Sequence, residues 1–346
     1  MIRTILVCEA QTPFVQGGAE FHVRALVREL QRAGYDAELV SVPFKWYPKP
    51  EILAHAAAWR LLDLSESNGR PIDLVIATKF PTYFVRHPNK TVWLIHQHRA
   101  AYELIGTPFS DFGHSEADVA LRARLVALDT QMLGECRRRF ANSANTAARA
   151  RRFNGVDVAP LYHPPRLAPA LHGGPAGSYV LSVGRLEAVK RVDLAVKALA
   201  HAPRDVSLVV AGTGTERSAL ESLAASLGLD GRVRFLGEVG DEELVALYAG
   251  ALGVIFPPYD EDYGYVTIEA FLAHKPVVTT TDAGGPNEFV VDGVNGCVCE
   301  ADPRALGDAL ARLHADRPRA AAWGDAGYER ARAITWAGVI EQLVGA

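Results

Sequence analysis

Residues 254–288 read VIFPPYDEDYGYVTIEAFLAHKPVVTTTDAGGPNE, and the chain is organised around this stretch. The apolar run at 254–256 predicts a strand, which Pro257 and Pro258 end because proline cannot donate to a sheet ladder. A loop rich in carboxylates follows, and the spacing of apolar residues after Gly264 predicts a helix. A second β-branched run then closes the unit. The order strand, loop, helix, strand is typical of a parallel α/β sheet.

Two carboxylates flank the predicted start of this helix. Glu261 lies in the loop and Glu269 in the second turn of the helix, with seven residues between them. A helix N-terminus that follows a strand favours phosphate, because its N–H groups and its dipole both point at the ligand. A carboxylate beside that point can accept hydrogen bonds from the hydroxyls of a ribose or a sugar. Two solvated surface charges are the alternative, and the Gly284-Gly285 turn nearby favours the ligand site.

Length and composition bound the class of protein. A chain of 346 residues, 22% charged and 49% hydrophobic, suits a globular protein of two domains. The formal net charge is −4. A modest basic excess in residues 1–165 is compatible with an anionic acceptor or a lipid surface, but it is too weak to indicate nucleic-acid binding.

Cysteine usage and hydropathy predict the compartment. The four cysteines form no C-x-x-C pair, so reduced cytosolic thiols are expected rather than a metal site or disulfides. The apolar run in the opening MIRTILVCEAQ is too short for a signal peptide, and the stretch at 245–259 is too short to span a bilayer. We therefore predict a cytoplasmic protein, peripheral at most to the inner face of the membrane.

The N-terminal half opens in the manner of a Rossmann fold. A buried strand is predicted at 4–8, a helix after Gly17-Gly18, and a second strand at 37–42. The glycine pair allows the backbone to approach a ligand closely. An ordinary turn is an alternative of equal weight.

Polar residues follow a further strand predicted at 91–95. His96, His98 and Arg99 come just after its end, where side chains reach a crevice rather than the core. A histidine there can hydrogen-bond a transferred sugar or assist a leaving group, and a histidine that only caps a loop is equally compatible. The six arginines within 137–152 indicate a solvated helix face, with contact to an anionic lipid or a polyprenyl-diphosphate acceptor as the alternative.

A stretch rich in Pro and Gly at 161–175 lacks periodicity and predicts a linker. The alternation of strands and helices then starts again at Tyr179. We therefore predict an N-terminal Rossmann-like domain at 1–165, a C-terminal Rossmann-like domain at 166–334, and a last helix within 335–346.

Two cations follow the first strand of the second domain. Arg185 and Lys190 stand where a strand ends and a helix starts, which suits a diphosphate leaving group whose negative charge grows as its bond to the sugar breaks. Two exposed basic residues are the alternative. The nearby turn Gly212-Thr213-Gly214 lacks the third glycine of a dinucleotide fingerprint, since Arg217 stands there, so support for NAD binding is weak.

The pair Glu261 and Glu269 fits an E-x7-E motif, and residues 276–298, PVVTTTDAGGPNEFVVDGVNGCV, fit its usual continuation. The chain thus resembles the retaining, metal-independent nucleotide-sugar glycosyltransferases of the GT-B fold, family 4 (glycosyl transferases group 1). Many members have Lys-Gly where this chain has Lys190-Arg191. The resemblance implies two Rossmann-like α/β domains whose parallel sheets face a central cleft. The N-terminal domain is then the acceptor side, the C-terminal domain binds the donor, and the last helix packs back on the N-terminal domain.

The resemblance also implies the roles of the site residues. Arg185 and Lys190 would hold the diphosphate. Glu269 would bind the ribose and Glu261 the sugar. The catalytic candidates are His96, Glu261, Arg185 and Lys190. The candidates for binding the nucleotide-sugar donor are Gly17, Gly18, Arg185, Lys190, Glu261, Gly264, Tyr265, Val266 and Glu269. No metal and no cofactor is expected, because the nucleotide sugar is itself a substrate.

The implied activity is that of a retaining hexosyltransferase. A sugar would pass from a nucleoside-diphosphate donor to a glycan, a lipid-linked acceptor or a small molecule. A nucleotide-sugar epimerase or a phosphorylase on the same fold is the alternative. A non-catalytic nucleotide-sugar-binding protein is less favoured, because the full set of candidate site residues is present. A glycoside hydrolase that uses Glu261 and Glu269 is remote, because their neighbourhood suits phosphate and ribose.

Overall fold

The computed structural model describes residues 2–14 and 17–345 and divides the chain into two compact units. The first unit comprises Met1–Arg166 and Thr335–Ala346, and the second comprises Leu167–Ile334. Each unit contains a six-stranded parallel sheet that packs against helices. The predicted α/β class, with one parallel sheet in each half of the chain, is confirmed.

The strands have the following bounds. The first unit contains β1 (Thr4–Gln11), β2 (Asp36–Pro43), β3 (Glu66–Ser67), β4 (Arg70–Pro71), β5 (Leu74–Ala77), β6 (Lys90–Leu94), β7 (Arg138–Ala141) and β8 (Ala159–Pro160). The second unit contains β9 (Tyr179–Val183), β10 (Ser207–Ala211), β11 (Val233–Gly237), β12 (Gly253–Ile255), β13 (Val277–Thr280) and β14 (Gly296–Cys299).

Strand order is the doubly wound order of a Rossmann-like sheet in both units. The first sheet runs β2-β1-β5-β6-β7-β8, and β3 and β4 form a separate antiparallel hairpin. The second sheet runs β11-β10-β9-β12-β13-β14. In each sheet the order reverses beside the first strand of the unit, which is where such folds bind ligands at the carboxyl ends of the strands.

The helices connect these strands. Their bounds are α1 (Gly18–Arg32), α2 (Glu51–Leu61), α3 (Glu116–Gly134), α4 (Ala144–Asn154), α5 (Val192–Leu199), α6 (Arg217–Ser226), α7 (Asp241–Gly250), α8 (Tyr265–Leu272), α9 (Pro303–Ala315), α10 (Arg317–Ala331) and α11 (Trp336–Val344). Within residues 2–14 and 17–345, no helix combines the length and the apolar character needed to cross a membrane.

Helix α11, although last in sequence, belongs to the core of the first unit. Its residues Val339 and Leu343 are buried in the same cluster as Ile5 of β1. The Arg138 guanidinium of β7 donates to Val344 O at 2.6 Å and so satisfies a carbonyl at the end of the helix. Apolar burial and this cap together hold the C-terminal residues in the first unit.

The second sheet places three strand ends side by side. Strand β9 pairs with β12, and β12 pairs with β13, in both cases in parallel. The chain therefore leaves these strands at a common edge, at Val183, Ile255 and Thr280. Most of the residues predicted for donor binding follow the exits of β9 and β12.

Helix α8, which carries Glu269, is held from behind by α10. Gly324 of α10 comes so close to the end of the α8 segment that a Cβ there would lie 2.0 Å from His274 O and 2.5 Å from His274 C. Both of these are backbone atoms, so no rotation of a side chain can relieve the contact. The close approach of the two segments therefore requires glycine at this position.

We predict that Gly324→Ala lowers the free energy of unfolding by about 2–3 kcal/mol, because the added methyl group has to push the two segments apart. In an ordinary helix the same change is stabilising by up to about 1 kcal/mol. Urea unfolding followed by far-UV circular dichroism measures the difference.

Gly231→Ala is the matched control in the same unit, because a Cβ at Gly231 meets nothing within 4 Å. The control is expected to unfold within about 0.5 kcal/mol of the wild type, as most surface changes do. Equal free energies of unfolding in the two variants would contradict the close packing of α10 on α8.

Candidate functional site

Three segments meet at the carboxyl edge of the second sheet. We name residues 184–191, which follow β9, the basic turn. Residues 257–264, which follow β12, are the acidic loop. Residues 281–285, which follow β13, are the glycine turn. Because their three strands are neighbours, these segments are neighbours as well.

Backbone hydrogen bonds tie the acidic loop to both of its neighbours. Tyr259 N donates to Val189 O in the basic turn at 2.8 Å. On the other side Glu261 N donates to Ala283 O in the glycine turn at 2.8 Å, and Gly285 N donates back to Glu261 O at 2.8 Å. The acidic loop is therefore ordered by main-chain pairing, in the manner of a short extra strand.

Lys190 and Glu261 form an ion pair between the basic turn and the acidic loop. The Lys190 ammonium contacts Glu261 Oε2, and the two side chains are only 17% and 15% exposed. The structure thus brings together two residues, 71 positions apart, that the sequence predicts for one site. Arg185 lies in the same basic turn and is exposed.

Glu269 is held in place by a tyrosine that the sequence did not indicate. Tyr248 of α7 is fully buried, and its hydroxyl donates to Glu269 Oε2 at 2.8 Å. Burial, and the negative charge of Glu269 beside it, raise the pKa of Tyr248 well above its usual value, so the phenol remains a donor. Tyr248 therefore orients the Glu269 carboxylate. Only the burial of a tyrosine, which needs a partner for its hydroxyl, could have indicated this role.

The start of α8 contributes backbone rather than side chains. Gly264 is the N-cap residue with φ 81°, a conformation that favours glycine, and a Cβ there would lie 2.8 Å from Pro286 Cγ. Val266 is buried, and Tyr265 is partly buried. The N–H groups in the first turn of a helix lack partners within the helix, so an anion at this point is favoured.

Arg191 occupies the position where the resembling family often has glycine. Its φ is 49°, in the left-handed region. Its guanidinium donates to Pro257 O and Pro258 O, each at 2.8 Å, and to Thr280 Oγ1 at 2.9 Å. It also forms a two-pronged pair with Asp282, at 2.6 and 2.9 Å. The side chain therefore joins the basic turn to the ends of β12 and β13.

The environment of Asp282 keeps it ionised. Burial opposes the charge, but hydrogen bonds from Arg191 and Thr280 outweigh burial and lower the pKa of Asp282 below its usual value. No pattern in the sequence indicates the role of Asp282, because its partner Arg191 lies 91 positions away.

The Gly212-Thr213-Gly214 turn has a packing reason for its glycines. A Cβ at Gly212 would lie 1.9 Å from Gly184 O, and a Cβ at Gly214 would lie 2.3 Å from Leu186 O. Here the backbone after β10 touches the backbone of the basic turn. Both glycines are thus explained without a dinucleotide.

In the first unit, the predicted Gly17-Gly18 pair begins α1, with Gly17 as the N-cap. Glu20 lies three residues after this cap, and its carboxylate accepts from the Gly17 and Glu20 N–H groups, as in a capping box. Lys79 bonds the same carboxylate at 2.7 Å. Burial opposes ionisation of Glu20, but Lys79 and the two N–H groups outweigh it and lower the pKa. The glycine pair is thus anchored by a buried ion pair.

His96 and His98 follow β6 and have different surroundings. His96 is partly buried, and its Nδ1 lies 2.7 Å from Gln97 O. His98 lies among the rings of Phe44, Phe80 and Phe112, with centroid distances of 6.4, 5.9 and 5.8 Å. Burial lowers the pKa of His98 to about 4. His98 is therefore neutral at physiological pH, and its ring is part of an aromatic cluster.

The predicted arginine cluster does not form one solvated face. Arg149 is buried and pairs with Glu103 at 3.3 Å. Arg138 donates to carbonyls of α11, and Arg151 pairs with Asp157. Arg99, predicted as a neighbour of the site, pairs with Glu103 as well. Several of these charges are therefore neutralised within the first unit, and lipid contact stays a prediction.

Comparison with known proteins places the second unit in a family. Residues 175–330 match the model described as Glycosyl transferases group 1. The second unit is a group 1 glycosyltransferase domain. The D-inositol 3-phosphate glycosyltransferase of Salinispora tropica is 35% identical over 184 residues, which are 49% of this chain and 38% of that protein. The chain spans about half the length, or less, of the curated relatives it matches.

Solved structures show the same fold over nearly the whole chain. Sucrose-phosphate synthase from Thermosynechococcus elongatus has a TM-score of 0.74 at 20% identity and covers 99% of this chain and 98% of its own. Anabaena Alr3699/HepE, solved with UDP and glucose, has a TM-score of 0.73 at 18% identity with the same coverage. These likenesses show the GT-B fold, in which each of the two units is Rossmann-like.

We predict that the first unit loses stability between pH 6.5 and 4, in part through His98. The pKa of His98 lies near 4 in the folded chain against 6.5 for a free histidine, so the unfolded chain binds a proton first. The stabilisation is complete above pH 6.5 and declines as the pH falls towards 4. Glutamine in His98→Gln cannot take up that proton. The free energy of unfolding of wild type minus that of the variant should therefore fall by about 1–2 kcal/mol between pH 7 and pH 5.

Urea unfolding followed by tryptophan fluorescence checks this, because most of the tryptophans lie in the first unit. The exposed His114, changed to Gln, is the matched control and should leave the pH dependence unaltered. An equal pH dependence of the free energy of unfolding in wild type and His98→Gln would contradict the conclusion that burial keeps His98 neutral.

Proposed function

We propose that the protein is a glycosyltransferase that moves a sugar from a nucleoside-diphosphate donor to an acceptor. The observation that carries this proposal is the Lys190–Glu261 pair at the edge of a group 1 domain, close in sequence to the start of α8. A cation, a helix N-terminus and a carboxylate at one sheet edge suit such a donor. Its phosphates bind the cation and the N–H groups, and its hydroxyls donate hydrogen bonds to the carboxylate.

The chemistry follows from where charge develops. As the bond from the sugar to the phosphate breaks, negative charge grows on the leaving diphosphate, and Lys190 and Arg185 stabilise it together with N–H groups of Gly264, Tyr265 and Val266. These groups are placed before the reaction, so they need little reorganisation during it. The sugar gains positive character in the same step.

The carboxylates have binding roles in this proposal. Glu269 accepts hydrogen bonds from the ribose hydroxyls. The hydrogen bond from Tyr248 to Glu269 Oε2 fixes the orientation of the whole carboxylate. Glu261 accepts from a hydroxyl of the sugar once the diphosphate has taken Lys190. No side chain is assigned as a covalent nucleophile.

The first unit supplies acceptor-side groups in this proposal. The family resemblance assigns His96 to hydrogen-bonding of the transferred sugar, and Gly17-Gly18 to the set of donor-binding residues. His96 is preferred to His98 because the latter is enclosed by aromatic rings and has a pKa of about 4. Both assignments rest on the resemblance to the family and on the position of His96 after β6.

Donor and acceptor are proposed as classes. A relative is named D-inositol 3-phosphate glycosyltransferase, and a solved structure of this fold contains UDP and glucose. A uridine or other nucleoside-diphosphate hexose is therefore the proposed donor, and a glycan, a lipid-linked acceptor or a small polyol is the proposed acceptor. Reaction without metal and with retention of the anomeric configuration is proposed from the family resemblance.

We predict that Glu269→Gln weakens binding of the nucleotide sugar by about tenfold or more, because a charged acceptor of ribose hydroxyls is lost. Titration calorimetry against UDP-glucose, GDP-mannose and ADP-glucose first finds the donor that binds wild type. Glu242→Gln, an exposed residue in the first turn of α7, is the matched control and should bind like wild type. If none of the three donors binds wild type, or if Glu269→Gln binds equally well, the donor-site assignment is wrong.

We predict that transfer continues in excess EDTA and that the product keeps the anomeric configuration of the donor. The side-chain cations and N–H groups replace a metal at the diphosphate, so chelation should change the rate by less than about twofold. Proton NMR of the product reports the anomer. Loss of transfer that Mg²⁺ or Mn²⁺ restores, or an inverted product, would contradict this part of the proposal. An epimerised donor without any acceptor would indicate the alternative enzyme class.

A further inference from the structure

Arg191 has an unfavourable backbone conformation that its side chain compensates. Its φ of 49° lies in the left-handed region, which glycine adopts without cost and other residues adopt only at a cost in free energy. Such a residue persists when its surroundings over-determine it. The side chain of Arg191 must therefore do something at this position that a glycine cannot.

The guanidinium directs almost all of its N–H groups at the protein. It has five N–H donors. Nε donates to Pro257 O, and Nη2 faces Pro258 O, Thr280 Oγ1 and Asp282 Oδ1. Nη1 donates to Asp282 Oδ2. Asp282 also balances the charge, so Arg191 is poorly suited to serve as a cation for a substrate.

These contacts connect the segments that carry the two charged site residues. Arg191 follows Lys190 directly, so fixing one fixes the backbone of the other. Pro257 and Pro258 begin the acidic loop, and their carbonyls are bonded by the guanidinium only three and four residues before Glu261. The Arg191 guanidinium also lies 5.7 Å from the ring centroid of Tyr259 within that loop.

We propose that Arg191 is a positioning residue for the donor's diphosphate and sugar. By joining the basic turn to the acidic loop through Asp282, it holds Lys190 and Glu261 in register before the donor arrives. This inference rests on the proposed function of the site. Its physical content is preorganisation: groups already held in place lose less freedom when a ligand binds.

The test is a comparison of two ligands across variants that preserve the fold. Arg191→Gly removes the guanidinium and also the backbone strain, so it is the variant best suited to fold. Asp282→Asn keeps Arg191 but removes its charge partner, and serves as the second variant. Arg332→Ala, at an exposed arginine paired with Glu329, is the matched control.

Titration calorimetry then measures the Kd of the nucleotide sugar and of the matching nucleoside monophosphate, using whichever of UDP-glucose, GDP-mannose and ADP-glucose binds wild type. Arg191→Gly should raise the Kd of the nucleotide sugar by about tenfold or more, and that of the monophosphate by less than about threefold, because only the former engages both Lys190 and Glu261. Asp282→Asn should show the same pattern, less strongly. The control should show neither change.

Amide hydrogen exchange gives a second measurement that needs no ligand. In Arg191→Gly the amides of Tyr259 and Glu261 should exchange at least about tenfold faster than in wild type, because the loop opens locally. If wild type binds a donor while Arg191→Gly keeps its affinity and its exchange rates, the positioning role is wrong and the proposed function stands. If wild type binds none of the three donors, the proposed function fails, and the positioning role fails with it.

Discussion

The candidate site depends on backbone segments that touch each other at the carboxyl edge of the second sheet. Three exits from neighbouring strands are joined by main-chain hydrogen bonds, such as Glu261 N to Ala283 O at 2.8 Å. Only glycine fits at two close approaches on this edge. A Cβ at Gly285 would lie 2.7 Å from Asp262 O, and a Cβ at Gly212, in the adjacent turn after β10, would lie 1.9 Å from Gly184 O. The charged side chains are therefore placed by the main chain that carries them, and their own contacts refine that placement.

This dependence explains what the sequence could predict. Proline, glycine and apolar spacing determine local structure. The sequence therefore predicts the strand before Pro257, the helix after Gly264 and the loop between them. Glu261 and Glu269 belong to one such local unit, and their spacing is conveyed by the sequence alone. Lys190 could be added because it also follows a strand that ends at the same edge.

Contacts between distant segments cannot be predicted from local sequence patterns. Arg191 contacts Asp282 only when the two turns that carry them pack together, and Tyr248 contacts Glu269 only when α7 packs near α8. Sequence periodicity does not indicate either pairing. The burial of individual arginines was not predictable either. The arginine cluster indicates a solvated face, but it contains Arg149, which is buried and pairs with Glu103. Sequence patterns show which residues are charged, but the pairing of charges is a property of tertiary structure.

The pairing of Lys190 with Glu261 has a consequence for the proposed binding of a donor at this site. Two partly exposed, oppositely charged groups gain little net stability from each other, because solvent screens their attraction and desolvation opposes it. In the proposed function, a doubly charged diphosphate would replace the Glu261 carboxylate as the partner of Lys190, at a small cost in free energy. The same exchange would release Glu261 to accept a hydrogen bond from a hydroxyl of the sugar. The Lys190–Glu261 ion pair thus keeps both groups ordered, and in the proposed function it leaves them available to a ligand that offers each a better partner.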